Sequence, residues 1–168
     1  MSRTLIEALL SQLDTAFEGD PEHSLLANLR NVGEDDWTWR PPGADGREGR
    51  SIHEIVWHVG ASKYLYEHHA FGAATMRFDD PLVAKPAAPR PMAEMLIWVH
   101  EGHHRLIEGV RALDDDTELE RQRPTNWGEP MVTRRIVEIM VMHDLYHAGE
   151  INHLRTQRQG GDRWAWER

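Results

Sequence analysis

Cysteine is absent from the 168-residue chain. Disulfide bonds, thiolate metal ligands and cysteine nucleophiles are therefore excluded, and a transition-metal site would have to use histidine, aspartate or glutamate. The sequence also lacks an apolar run near the ~20 residues of a membrane-spanning helix. Its polar start, Met1-Ser-Arg-Thr, has no signal-peptide core. We therefore expect a cytoplasmic protein that does not span a membrane.

Basic residues are fewer than acidic residues in this sequence. Lysine and arginine total 19 against 28 aspartates and glutamates, which gives a net charge of -9. This balance argues against a nucleic acid or an anionic membrane surface as partner. The length suits a single domain over residues 1–168 that can bury a hydrophobic core without stabilisation by disulfide bonds.

Helical periodicity dominates the sequence, and few if any strands are expected. Apolar residues recur at the three-four spacing of amphipathic helices. They predict a first helix with a kink, here called the first arm, and three further helices. Their ranges are 3–18 with a continuation at 21–31, then 51–71, 91–113 and 132–159. Ser51 and Glu54 form a capping box, and Gly160 ends the last helix. The predicted fold class is all-α, a four-helix bundle.

Two connections are predicted to be irregular. Residues 33–49 are rich in glycine, proline and acidic residues, and residues 72–90 contain several prolines and little periodicity. If the second and third helices run parallel, the chain must return along the bundle, about 30 Å for a ~20-residue helix. The length of residues 72–90 therefore favours a long crossover between helices two and three.

The most informative stretch lies in the last predicted helix. His143 and His147 are four residues apart, which places them one turn apart on the same face. The other inward positions of that face are apolar: Ile136, Met140, Ile151 and Leu154. Buried imidazoles need partners, and a metal ion satisfies both at once. The alternative is that one histidine is half-exposed while the other hydrogen-bonds inside the core.

A third histidine, His58, lies at the edge of the apolar face of the 51–71 helix. Two ligands from one helix and one from another leave coordination positions open, as in catalytic sites. Zinc suits such a site, and nickel or iron also binds imidazole. Residues near enough in sequence to accept hydrogen bonds from the ligands are Ser62, Asp144 and Glu150.

Other histidines receive weaker assignments. His103 is the one polar member of the apolar face of the third helix, so it is a candidate extra ligand or a partner of a ligand. His23, His53 and His68 are expected at the surface, and His69 returns to the angle of His58 three turns further along.

A rival metal hypothesis comes from two Glu-x-x-His sequences, Glu101 to His104 and Glu150 to His153. Di-iron bundles use this spacing on two helices. The helical angles count against it, because Glu101 lies nearly opposite the apolar face of its helix and His153 lies off the face of His143.

These motifs resemble the DinB-like family of bacterial metal-binding four-helix bundles, which includes the YfiT-like proteins. The similar stretches are Trp37-x-x-Arg40-Pro41, Ser51-Ile-x-Glu-Ile-x-Trp-His58-Val and His143-x-x-x-His147-Ala-Gly-Glu-Ile. The resemblance runs from about residue 5 to residue 158. It implies up-down-down-up topology, a metal held by His58, His143 and His147, and often a homodimer. Many relatives carry an arginine where this chain has Ala148, so no role for that arginine transfers.

The resemblance also implies a class of chemistry. Relatives transfer low-molecular-weight thiols such as bacillithiol or isomerise maleylpyruvate with mycothiol. We therefore expect a metal that activates a bound thiol or water for a small-molecule substrate, with Asp144 or Glu150 as a base in the hydrolytic version. The alternative is a non-catalytic metal-binding or dimerising module.

Two further expectations concern surfaces. The metal is expected beside the loop at residues 37–49, where Trp37, Trp39 and Arg40 would line the mouth of a pocket. The alternative is that both tryptophans close the end of the bundle. Arg40 would bind a carboxylate there. The apolar segments at residues 5–17 and 164–166 are expected to support a homodimer.

Overall fold

The computed structural model describes residues 2–43 and 46–163 and is mainly helical. The α-helices in this part of the chain are α1 (Thr4–Asp14), α2 (Glu34–Thr38), α3 (Ile52–Ala70), α4 (Met92–Arg111) and α5 (Thr133–Gln159). A π-helical turn, Thr15–Gly19, extends α1, and 3-10 turns cover Ala27–Leu29 and Asp116–Glu120. Strand β1 (Gln122–Arg123) pairs antiparallel with β2 (Met131–Val132). The all-α prediction agrees with this content. No helix in the described ranges has the length and hydropathy to cross a bilayer.

The start of α3 and the end of α5 agree with their sequence signals. The Ser51 hydroxyl accepts a hydrogen bond from the Glu54 amide at 3.3 Å, and the Glu54 carboxylate accepts one from the Ser51 amide at 3.1 Å. This reciprocal pair is the predicted capping box, and α3 begins directly after it. Helix α5 ends at Gly160, whose φ of 73° is left-handed and suits glycine.

The predicted helical continuation over residues 21–31 is wrong. Only a 3-10 turn forms there, because Asp20 folds the chain locally instead. Its carboxylate accepts hydrogen bonds from the amides of Glu22 and His23 at 2.8 and 2.7 Å. Side-chain caps of this kind compete with helix propagation.

Two smaller differences concern the first arm and the following loop. In the first predicted helix, 3–18, the apolar spacing that includes Leu5 predicts an inward side chain, but Leu5 is 54% exposed and the neighbouring Ile6 is buried. The loop at residues 33–49 contains the short helix α2, which places Trp37 in the core.

Helix α3 is the most enclosed of the long helices. It contacts α4 and α5, while α1 contacts α4 and α5. Its approach to α4 is close because Gly60 carries no side chain where the Trp98 ring packs, so that a Cβ there would clash. The predicted inward residues of α5 are buried or half-buried, which brings His143 and His147 against α3.

Candidate metal centre

Three imidazoles from α3 and α5 meet between the two helices. The Nε2 atoms of His58 and His143 are 3.1 Å apart. One ring nitrogen from each of His58, His143 and His147 lies within 4.8 Å of the other two, and this is the one such group of three in the described residues. Bonds of about 2.0–2.1 Å at tetrahedral angles place nitrogens ~3.3 Å apart. The donor set and its spacing therefore fit a single divalent ion.

The orientation of His147 is set by Glu150, one turn further along α5. The Nδ1 atom of His147 lies 2.8 Å from a Glu150 carboxylate oxygen. A proton held on Nδ1 leaves the Nε2 lone pair free towards the other two histidines. The same carboxylate accepts hydrogen bonds from Nη2 of Arg50 at 2.8 and 3.0 Å. Arg50, Glu150 and His147 thus form a chain that ends at the three-histidine group.

The pKa of each of the three imidazoles is lowered, which favours the neutral state that metal binding requires. Burial is the main cause of the lowered pKa of His58, of His147 and of His143, whose pKa falls to about 3. The positive charge of Arg50 lowers the pKa of each of the three as well. Neutral rings keep a lone pair for an ion, whereas protonated rings would repel it.

The side of the group that faces solvent carries an aromatic residue. Tyr146 is 69% exposed, and its ring lies edge-on to His147 with centroids 4.9 Å apart. Met142, one turn earlier on α5, is also exposed. A cavity of about 770 Å³ lies elsewhere, between α1 and α4, and the three histidines do not line it.

The family profile of the DinB superfamily matches residues 19–151, which include His58, His143 and His147. The chain belongs to the DinB superfamily. No curated protein matches it significantly. Membership agrees with the resemblance found in the sequence motifs, and the three histidines that carried that resemblance are the ones that meet in space.

In this DinB-superfamily protein, the three residues expected to hydrogen-bond to the candidate ligands do not all contact an imidazole. Glu150 contacts His147, as expected for a residue that assists a candidate ligand. Asp144 is buried and pairs with Nζ of Lys63 at 2.6 Å. The Ser62 hydroxyl donates to the backbone carbonyl of His58 at 2.8 Å, and not to its ring. The roles of Asp144 and Glu150 as bases stay predictions.

His103 is not part of the three-histidine group. Its ring is buried, stacks on Phe17 with centroids 3.9 Å apart, and places Nδ1 3.3 Å from Nζ of Lys63. The surface position expected for His53 is wrong: it is 4% exposed and its Nε2 accepts a hydrogen bond from the Arg90 amide at 3.0 Å.

Of the residues of the rival Glu-x-x-His hypothesis, Glu150 contacts the three-histidine group through His147, whereas Glu101, His104 and His153 are exposed. The Glu101 carboxylate bonds to Arg105 at 2.9 Å on the outer side of α4. In the described part of the chain the three exposed residues form no metal-ligating cluster. Their outward positions follow from the helical angles that argued against this hypothesis.

The residues expected at the pocket mouth have other contacts. Arg40 pairs with Glu54 at 2.8 Å, and the Trp39 ring lies 5.8 Å from the Arg158 guanidinium. The Trp37 indole donates to the Arg90 carbonyl at 2.9 Å. A role for Arg40 and Trp39 in ligand binding stays a prediction. Sequence reasoning missed Arg50, although its place directly before the Ser51 cap put it at the end of α3 nearest His58.

Proposed function

We propose that this DinB-superfamily protein is a metal-dependent enzyme with one divalent ion on His58, His143 and His147. The observation that carries the proposal is the convergence of three imidazole nitrogens from two helices. Three protein ligands leave positions open for a substrate, as in catalytic sites. Zinc or nickel is the proposed ion, and iron also suits imidazole ligands.

The ion would supply Lewis acidity that lowers the pKa of a bound thiol or water. The protein's own part is to hold the three rings in place, to accept the Nδ1–H hydrogen bond of His147 on the Glu150 carboxylate, and to restrain Glu150 through Arg50. The proposed substrates are small molecules. The family resemblance favours transfer of a low-molecular-weight thiol of the bacillithiol or mycothiol type, with hydrolysis as the other version.

The proposal includes a single domain with up-down-down-up topology. Contacts between α3 and α4 support it, because Gly60 lies at Trp98 and Gly109 lies at Phe71, the same order along both helices. Contacts between α3 and α5 have the opposite order, since Arg50 pairs with Glu150 and His58 lies at His143. Parallel α3 and α4 require the long crossover at residues 72–91.

A homodimer is also proposed. Leu5 and Ile97 are exposed apolar residues, but most of the apolar face of α1 is used inside the core. The segment at residues 164–166, which was expected to contribute, lies outside the described residues. Light scattering over a range of concentrations tests the proposal, and a monomer mass throughout would contradict it. The cytoplasmic location stays a prediction.

Metal-dependent turnover tests the enzyme proposal against a non-catalytic module. Protein without a histidine tag should be stripped with a chelator, reloaded with zinc or nickel, and screened with thiol acceptors and hydrolysable esters. We expect activity that chelation removes, that metal restores, and that His58→Ala abolishes. His104→Ala, on the exposed side of α4, is the matched control and should retain it. Loaded protein that turns over no substrate of either class would favour the module.

A further inference from the structure

A polar cluster that the proposed chemistry does not use lies inside the core. Lys63 of α3 is fully buried, and its Nζ donates to Asp144 of α5 at 2.6 Å and to Nδ1 of His103 of α4 at 3.3 Å. The Phe17 ring covers the ammonium at 4.8 Å. These contacts join three helices through one side chain.

Stability alone does not account for this cluster. Burial lowers the pKa of Lys63 and raises the pKa of Asp144, the directions expected when charges lose water. Oδ1 of Asp144 and Nε2 of His103 are buried without a hydrogen-bond partner among the described residues. Buried ion pairs replaced by apolar residues of similar volume often leave stability unchanged or raise it.

The position of the cluster gives it a different role. Lys63 follows His58 by five residues on α3, and Asp144 lies directly after His143 on α5. Apolar contacts fix the register of two helices through shape alone. The ion pair of 2.6 Å adds a directional contact that forms at one register. A slip of one residue along a helix moves its ligand by about 1.5 Å, which is a large part of a metal–nitrogen bond of ~2.0 Å.

We propose that Lys63 and Asp144 are positioning residues, whose ion pair fixes the register of α3 against α5 and so places the three imidazoles for the metal. This inference rests on the metal site of the proposed function. In coiled coils, buried polar groups specify the register of packed helices at a cost in stability. The proposal gives the buried pair of this protein the same role.

The test replaces the pair by apolar residues. Lys63→Met with Asp144→Leu removes one positive and one negative charge, so the net charge near the metal is unchanged. Cobalt affinity is measured by competition with a chelator, cobalt geometry by its visible spectrum, and stability by urea unfolding. We expect affinity at least ~10-fold weaker and an altered spectrum, with a free energy of unfolding no lower than that of the wild type.

Two companion variants keep the result interpretable. The double variant leaves His103 without its Lys63 contact, so His103→Phe is added in a triple variant with no unpaired polar group from the cluster. Tyr64→Phe is the matched control, because it removes the hydrogen bond from the neighbouring residue of α3 to the Trp98 carbonyl of α4. This control should leave cobalt affinity unchanged.

Each outcome decides the question. Affinity within about threefold of the wild type in a folded double or triple variant would overturn the positioning role. So would failure of both variants to fold, since the pair would then be needed for stability. Affinity lost equally in Tyr64→Phe would also overturn it. Wild-type protein that binds no cobalt would instead overturn the proposed function, and this inference with it.

Discussion

His147 and Glu150 are joined by a contact of 2.8 Å between Nδ1 and a carboxylate oxygen. They lie three residues apart on α5, so the helix itself supplies both a candidate metal ligand and the group that orients it. The contact fixes the imidazole tautomer before any ion arrives, and it raises the basicity of the ring towards a metal.

Removing this carboxylate should weaken metal binding. Glu150→Ala leaves the Nδ1 proton of His147 without its acceptor, so we expect a loss of about 10–100-fold in zinc affinity, measured by competition with a chelator. Glu101→Ala, at an exposed position on α4, is the control. An unchanged affinity in Glu150→Ala would show that the contact does not orient the ligand.

The two arginines near the start of α3 should differ in their effect on anion binding. Arg50 lies near all three imidazoles, whereas Arg40 pairs with Glu54. We expect Arg50→Gln to weaken binding of a small carboxylate to the metal-loaded protein by roughly 3–10-fold, and Arg40→Gln to have a smaller effect. Isothermal titration with acetate checks this. The opposite order would support the pocket position predicted for Arg40 from the sequence.

Local signals in the sequence predicted the long helices well. Ser51 and Glu54 form α3's capping box with each other, and Gly160 ends α5 through its own backbone conformation. The periodicity of α5 placed His143 and His147 inward because burial follows the helical period. These features need no information about distant parts of the chain.

Features that depend on tertiary contacts were not predictable in the same way. His53 was assigned to the surface because a one-sided helix was assumed, but α3 is enclosed on most sides and buries it. The pair of Lys63 and Asp144 joins residues 81 apart, and no local pattern indicates it. The helix expected after Asp20 failed because a side-chain cap competed with it.

Acid should destabilise the metal-free protein through His103. Burial, followed by the charges of Lys63, His100 and His104, lowers the pKa of His103 to about 2. The unfolded chain takes up this proton near pH 6.5, so stability is full above that pH and falls as the pH drops towards 2, by about 1.4 kcal/mol per pH unit.

Urea unfolding of the metal-free protein at several pH values measures this slope. His103→Gln should lower the slope of unfolding free energy against pH by the amount that corresponds to about one proton. His104→Gln, at an exposed position, serves as the control. Equal slopes in the wild type and His103→Gln would contradict the account of His103.

Acid should also release the metal, because protons compete for the ligand nitrogens. The pKa of each ligand is lowered by burial, so release should begin below the ordinary histidine value of about 6.5. Metal content after dialysis at stepped pH checks this. Occupancy that is flat down to about pH 4 would argue against ligands that are all histidine.

The metal-to-protein ratio of tag-free protein, after loading and exhaustive dialysis, tests the three-histidine site most directly. The account predicts about one divalent ion per chain in the wild type and in His104→Ala, and close to none in a folded His147→Ala. A wild-type ratio near zero, or a His147→Ala variant that keeps its ion, would contradict it.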